Sequence, residues 1–238
     1  MLDFMSSLGH LIIKEDKMNK KIIFLLGLPK TIYINFKCFD FKTAIRMPII
    51  LGPDVKIGNV CKGVIELNNY ENKRYHVKFG IGGSTHVPKE DRSKIDFGPK
   101  AKIVFNGPAM FGEGTSLRCD YGFLTVGKNF SCSKNCCFNC EDSITIGDDV
   151  LLGWNIYVRD TDGHDVFENG DMKISQKPVI IKNHCWICSF AHILKGVTIE
   201  NDSVVAWRST VTKSFSESNV LLGGTPAKII KNNITWKK

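Results

Sequence analysis

From Ile181 onward a large aliphatic side chain returns at every sixth position: Ile181, Ile187, Ile193, Ile199, Val205 and Val211. Four residues after the first five of these stand Cys185, Ala191, Val197, Ser203 and Ser209, all compact. The same register runs through Val126, Cys132 and Phe138, with Phe130 and Cys136 four residues on. It runs again through Ile146, Leu152 and Val158, with Val150 and Ile156. A period of six fits neither the helical repeat of about 3.6 residues nor a long two-residue alternation. It fits short strands separated by corners, with three sextets closing one triangular coil and each coil stacking on the next. The aliphatic residue fills the interior from a flat wall, and the compact one sits where the wall turns and space is tight. Turn-forming residues fall where corners are needed, as in Gly147-Asp148-Asp149, Lys182-Asn183-His184 and Glu200-Asn201-Asp202.

The repeat predicts an all-β parallel β-helix over residues 49–222. Three segments depart from it. Residues 1–48, with Phe24, Tyr33, Phe36, Phe39 and Phe41, read as a capping segment over the first coil. Residues 159–178 break the period with Asp, Gly, Asn and His and read as a loop thrown out from the coil. Gly223-Gly224-Thr225-Pro226 ends the coil, and residues 223–238 read as a short tail.

A hydrophobic content of 43% over 238 residues supports a buried core in one elongated domain, with or without a small N-terminal element. The net charge of +8 favours an anionic partner. Nucleic acid is the weakest choice, because the charge is spread along the chain without an aromatic-basic motif. Nine cysteines without a regular framework fit a reducing cytoplasm. Lys20-Lys21 precede the apolar run Ile22 to Leu28, which stops at Pro29. That run is internal, has no cleavage site and is too short to span a bilayer. It reads as a packed or amphipathic segment, with a peripheral contact at the inner face of a membrane as the alternative. Cys136, Cys137, Cys140, Cys185 and Cys188 have zinc-like spacings, but Cys136 and Cys185 fall on inward repeat positions, so no metal is expected.

The stretch Lys177-Pro178-Val179-Ile180-Ile181-Lys182-Asn183-His184-Cys185-Trp186-Ile187, continuing through Val197-Thr198-Ile199, Val211-Thr212-Lys213 and Gly224-Thr225-Pro226-Ala227-Lys228, resembles the C-terminal half of hexapeptide-repeat acyltransferases. Ile144-Thr145-Ile146-Gly147-Asp148-Asp149-Val150, followed by Asp162-Gly163-His164, resembles the coil and loop of the same family. The nearest flavour is that of bacterial capsule, lipopolysaccharide and exopolysaccharide O-acetyltransferases. This resemblance implies a left-handed coil, a homotrimer with active sites in clefts between subunits, acetyl-CoA as acyl donor and a sugar or glycan as acceptor. N-acetylation of an amino sugar is the alternative chemistry, and a non-catalytic β-helix scaffold the alternative class.

Moving an acyl group from a thioester to an alcohol needs a base to take the hydroxyl proton, a task suited to imidazole. His164 matches the family's catalytic histidine, and Asp160, Asp162 and Asp165 around it are candidates to orient its ring. Asn155 and Trp186 are candidate acceptor contacts. His184 and His192 fall on outward repeat positions, while His10, His76 and His86 carry no motif. Ser189, Ala206, Thr212 and Lys213 match family positions along coenzyme A, and Lys228 and Lys231 match basic positions near its phosphates. Cys188 stands where the family usually has Gly, and Trp207-Arg208 where it often has Ala-Gly. Trp207 therefore either stacks on the cofactor or narrows its groove.

Overall fold

Stacked in-register coils put every sixth-position side chain on one of three interior columns. The computed structural model describes residues 20–71 and 73–237; residues 1–19 of the expected cap, with His10, lie outside the described residues. Three sheets of nine, seven and six strands form the walls of a left-handed prism, and the coils pair in parallel. Along the first wall the inward column is Leu51, Phe79, Phe111, Cys132, Leu152, Ile187, Val205 and Leu222. The second wall carries Leu117, Phe138, Val158, Ile193 and Val211, and the third Phe105, Val126, Ile146, Ile181 and Ile199. All of these side chains are buried. So are the compact residues Cys185, Ala191, Val197, Ser203 and Ser209 at the corners.

The corners explain the Asn and Asp residues. Asn129, Asp149, His184, Asp202 and Asn219 form one column, each in the left-handed backbone region, which Asn and Asp tolerate better than most. Neighbouring carboxylate and amide oxygens tie successive corners together. Asp148 Oδ1 accepts from the Lys128 amide, Asn183 Oδ1 from the Asp148 amide and Asn201 Oδ1 from the Asn183 amide.

Aromatic rings gather in the interior around Phe111. Its ring lies 5.3 Å from Phe79, 5.1 Å from Phe130, 5.8 Å from Phe138 and 6.1 Å from Phe105.

The N-terminal segment is helical. Helix α1 (Lys20–Cys38) and the short helix α2 (Phe41–Ala44) precede the first strand, Ile49–Leu51. Thr31 Oγ1 accepts from the Leu51 amide, while Asn35 accepts from the Ile49 amide and donates to the Ile49 carbonyl. Those side chains satisfy the free edge of the strand, which would otherwise be open to another chain. Gly27 allows this approach, since a Cβ there would lie 2.3 Å from the Leu51 carbonyl oxygen.

Two expectations need correction. The segment after Leu222 is not a simple tail: Ala227–Lys231 turns back antiparallel to Leu221–Gly224 and adds the last strand of the first wall. A Cβ at Gly223 would meet the outer end of the exposed Ile230 side chain, Cδ1, at 2.1 Å, so a larger residue there would have to push that side chain aside. Residues 49–158 also hold an excursion that the repeat did not reveal. Residues 81–93 leave the coil and run along the corner between the first and second walls, where Glu90 N and Pro88 O bond the Asn135 side chain.

Candidate active site

The loop at 159–178 leaves the corner between the second and third walls as an arm. Thr161 bridges Gln176 at its root, and beyond them Val166–Glu168 pairs antiparallel with Asp171–Lys173. Gly163 turns the chain with φ 83°, a conformation that costs a residue with a Cβ far more. His164 follows it and is exposed.

A carboxylate and an ammonium clamp the root. Glu141 Oε2 accepts from Thr161 Oγ1 and from Gln176 Nε2, both at 3.0 Å, and so ties the two sides of the arm. Lys195 pairs with Asp162 and donates to the Ile174 carbonyl at 2.7 Å. Arg159 Nε donates to the Thr161 carbonyl at 2.6 Å. Neither Glu141 nor Lys195 belongs to a motif; their sequence distances of 20 and 35 residues, and of 33 and 21, are bridged only by the coil. Glu141→Ala removes two charge-assisted bonds from a partly solvated site, about 1–2 kcal/mol of local stability. Proteolytic cutting within 161–176 should rise roughly tenfold, with the far-ultraviolet spectrum unchanged. An unchanged cutting rate would mean that the arm holds itself.

The three aspartates around His164 have different positions. Asp160 is fully buried, and its two oxygens accept from the amides of Glu141 and Asp142 at 2.8 and 2.9 Å. Burial lifts its carboxyl above the usual range, against the pull of those amides. The expectation that it orients His164 is corrected on that ground: both of its oxygens hold the 141–142 turn. Asp162 is engaged by Lys195. Asp165 is exposed beside His164. Among the described residues none of the three hydrogen-bonds to the imidazole.

Asn155 lies at the corner between the first and second walls, with φ 55°. Its Nδ2 donates to Glu90 Oε1 at 2.7 Å, and its Oδ1 accepts from Asn135 at 3.1 Å. Trp186 faces outward on the first wall, where Trp236 packs 5.9 Å from it and stacks on His184 at 4.4 Å. His184 is paired with Asp202 Oδ1 at 2.8 Å, a structural position. His192 lies outward on the second wall, edge-on to Tyr157.

Further along the Asn155 corner the column continues through Phe190 and Arg208, both at positive φ without being glycine. The Gly that the resemblance leads one to expect at 208 suits this backbone; the arginine accepts its strain and places its guanidinium 5.5 Å from the Phe190 ring. Trp207 packs 4.9 Å from Phe190 and 5.6 Å from Trp154, with 51% of its surface exposed.

Ser189 is buried, and its hydroxyl accepts from the Trp154 amide at 3.1 Å. It therefore helps to build the corner. Ala206 is half-buried and its amide donates to the Leu222 carbonyl, and Thr212 is exposed. The lysines divide between two walls. Lys213 lies past the last strand of the second wall, 5.6 Å above Phe215, while Lys228 and Lys231 are exposed on the final strand of the first.

The cysteines are dispersed. Cys136, Cys140 and Cys185 point inward, and Cys137 and Cys188 are half-buried in different walls. Burial pushes the Cys185 thiol up to about 12 and the Cys188 thiol up to about 11, so neither is a thiolate nucleophile at neutral pH.

No family model matches the chain. The chain is 34% identical over 147 residues to a Dictyostelium discoideum protein named "Putative acetyltransferase", covering 61% of this chain and 73% of the relative. It is 32% identical over 127 residues to galactoside O-acetyltransferase of Escherichia coli K12, covering 52% of this chain and 58% of that protein's length. The crystal structure of the polySia specific acetyltransferase NeuO superimposes with a TM-score of 0.51 at 21% identity, covering 78% of this chain and 89% of that one, a likeness of fold.

Proposed function

The chain belongs to the hexapeptide-repeat acyltransferases, and from that membership we propose that it transfers an acetyl group from acetyl-CoA to a hydroxyl of a sugar or glycan. The observation that carries this reading is the exposed His164 on an arm whose root is clamped by Glu141 and Lys195. The imidazole takes the acceptor's hydroxyl proton as the oxygen attacks the thioester carbonyl. The tetrahedral intermediate collapses with cleavage of the carbon–sulfur bond, and the proton passes to the departing sulfur. The sugar ester and the free thiol are the products.

His164 has no hydrogen-bond partner among the described residues of its own chain, which supports a cleft completed by a second copy. A closed trimer of prisms packed side to side supplies one. In this reading residues 49–222 carry the chemistry and residues 1–48 cap them. Acetyl-CoA as donor and nine unpaired cysteines favour a cytoplasmic setting. Among the described residues no helix is long and apolar enough to cross a membrane.

The test is acetyl-CoA consumption against sugars, amino sugars, nucleotide sugars and oligosaccharides, with the product's mass recorded. Ester formation on a hydroxyl is the expected outcome. Amide formation would replace it with N-acetylation, and no turnover with any acceptor would leave a binding scaffold.

The cofactor groove has its own prediction. Trp207 is braced on one side by Trp154 and Phe190 and leaves half of its surface open, as an aromatic platform would. Trp207→Ala should weaken coenzyme A binding about fivefold to tenfold in a direct titration, the loss of one stacked ring. Tighter binding would mean that the indole narrows the groove, and an unchanged dissociation constant would put it off the path.

A further inference from the structure

Helix α1 uses one face to close the coil. Gly27, Thr31, Ile34, Asn35 and Cys38 are buried, and Thr31 and Asn35 take the hydrogen bonds of the first strand. In stacked parallel coils those bonds run along the prism axis. The helix thus sits on the end of the prism, and its opposite face looks outward along the axis.

At about 3.6 residues per turn that opposite face, about 180° away, carries Ile22, Leu25, Leu26, Ile32, Tyr33 and Phe36. A helix on a water-facing surface would be polar there. Here Leu25 is 61% exposed and Leu26 is 55% exposed, and Phe41 in α2 extends the patch at 72%. The flanking charge has one sign. Lys37, Lys42 and Arg46 border the patch, and Lys20 and Lys21 begin the helix. The acid in this stretch, Asp40, is used to cap α2 through Thr43.

We infer that the outward face of α1 and α2 is an interfacial anchor that lies flat on an anionic lipid bilayer, with the prism axis upright. An apolar face with aromatics at its border and cations around it matches the boundary between acyl chains and acidic headgroups. A second copy packed side to side would meet the walls and leave this end free. In a trimer all three anchors would share one plane, and avidity would strengthen a contact that one short helix makes weakly.

The experiment is flotation of the full chain with phosphatidylcholine vesicles, with and without phosphatidylglycerol, at two salt concentrations. The wild type should float with the anionic vesicles, and each basic residue engaged should contribute roughly fivefold to partitioning at low salt. Leu25→Glu/Leu26→Glu, each more than half exposed, should cut partitioning by roughly tenfold or more. Circular dichroism should show the variant folded. Absence of wild-type binding to anionic vesicles would overturn the inference, as would a folded variant that binds equally well. A change of oligomeric state in the variant by light scattering would instead make the face a contact between copies, which also overturns it. Vesicle binding needs no turnover, so its failure and the failure of the acetyl-transfer reading are told apart directly.

Discussion

His164→Ala is expected to lower turnover by roughly 100- to 10,000-fold while leaving the oligomer and the affinity for coenzyme A nearly intact. The reason lies in where the side chain acts. A base on an exposed arm meets the acceptor's proton as the oxygen attacks, so its removal raises the barrier to transfer more than it weakens binding. Because His164 makes no hydrogen bond among the described residues, the alanine leaves no orphaned partner behind in the arm. The measurement is steady-state kinetics with the acceptor found in the panel, beside calorimetric titration of coenzyme A. Turnover within a few-fold of the wild type would remove His164 as the base and direct attention to the outward His192.

Phe111→Ala should be the most damaging single change in the core, at about 3–5 kcal/mol. Four aromatic rings lie within 6.1 Å of the Phe111 ring, and its side chain is fully buried. In-register coils cannot slide inward to refill the gap, because each strand is tied by hydrogen bonds to the coil on either side. Urea unfolding should show the loss at an unchanged slope, and Phe111→Leu should recover most of it. A cost near 1 kcal/mol would mean that the neighbouring rings collapse into the space after all.

The repeat was legible because a β-helix writes its fold into local sequence. Every coil makes the same contacts as the last, so one inward column per wall appears as an aliphatic residue in the sixth position, as in Ile181 to Val211. The loop at 159–178 was legible for the complementary reason, since it interrupts that register. That the segment expected to cap the first coil is a helix was not. A helix apolar on the docked face through Ile34 and on the outward face through Leu26 and Tyr33 shows little amphipathic period. Its end-on placement depends on Thr31 and Asn35 meeting the edge of a strand 14 to 20 residues away.

By itself, then, the sequence determined the coil, its corners, the arm and the histidine on it, because those features rest on residue types at fixed short spacings. Tertiary structure decided what the side chains near that histidine do. Asp160 became a buried cap of a turn, Ser189 part of a corner, and Glu141 and Lys195 the clamp on the arm. It also decided that the chain after Leu222 returns as a strand and brings Trp236 onto His184. These pairings join positions that are neighbours only once one coil lies on another. Unlike the ladder of Asn and Asp at the corners, each of these bonds occurs once, and a bond made once leaves no period in the chain.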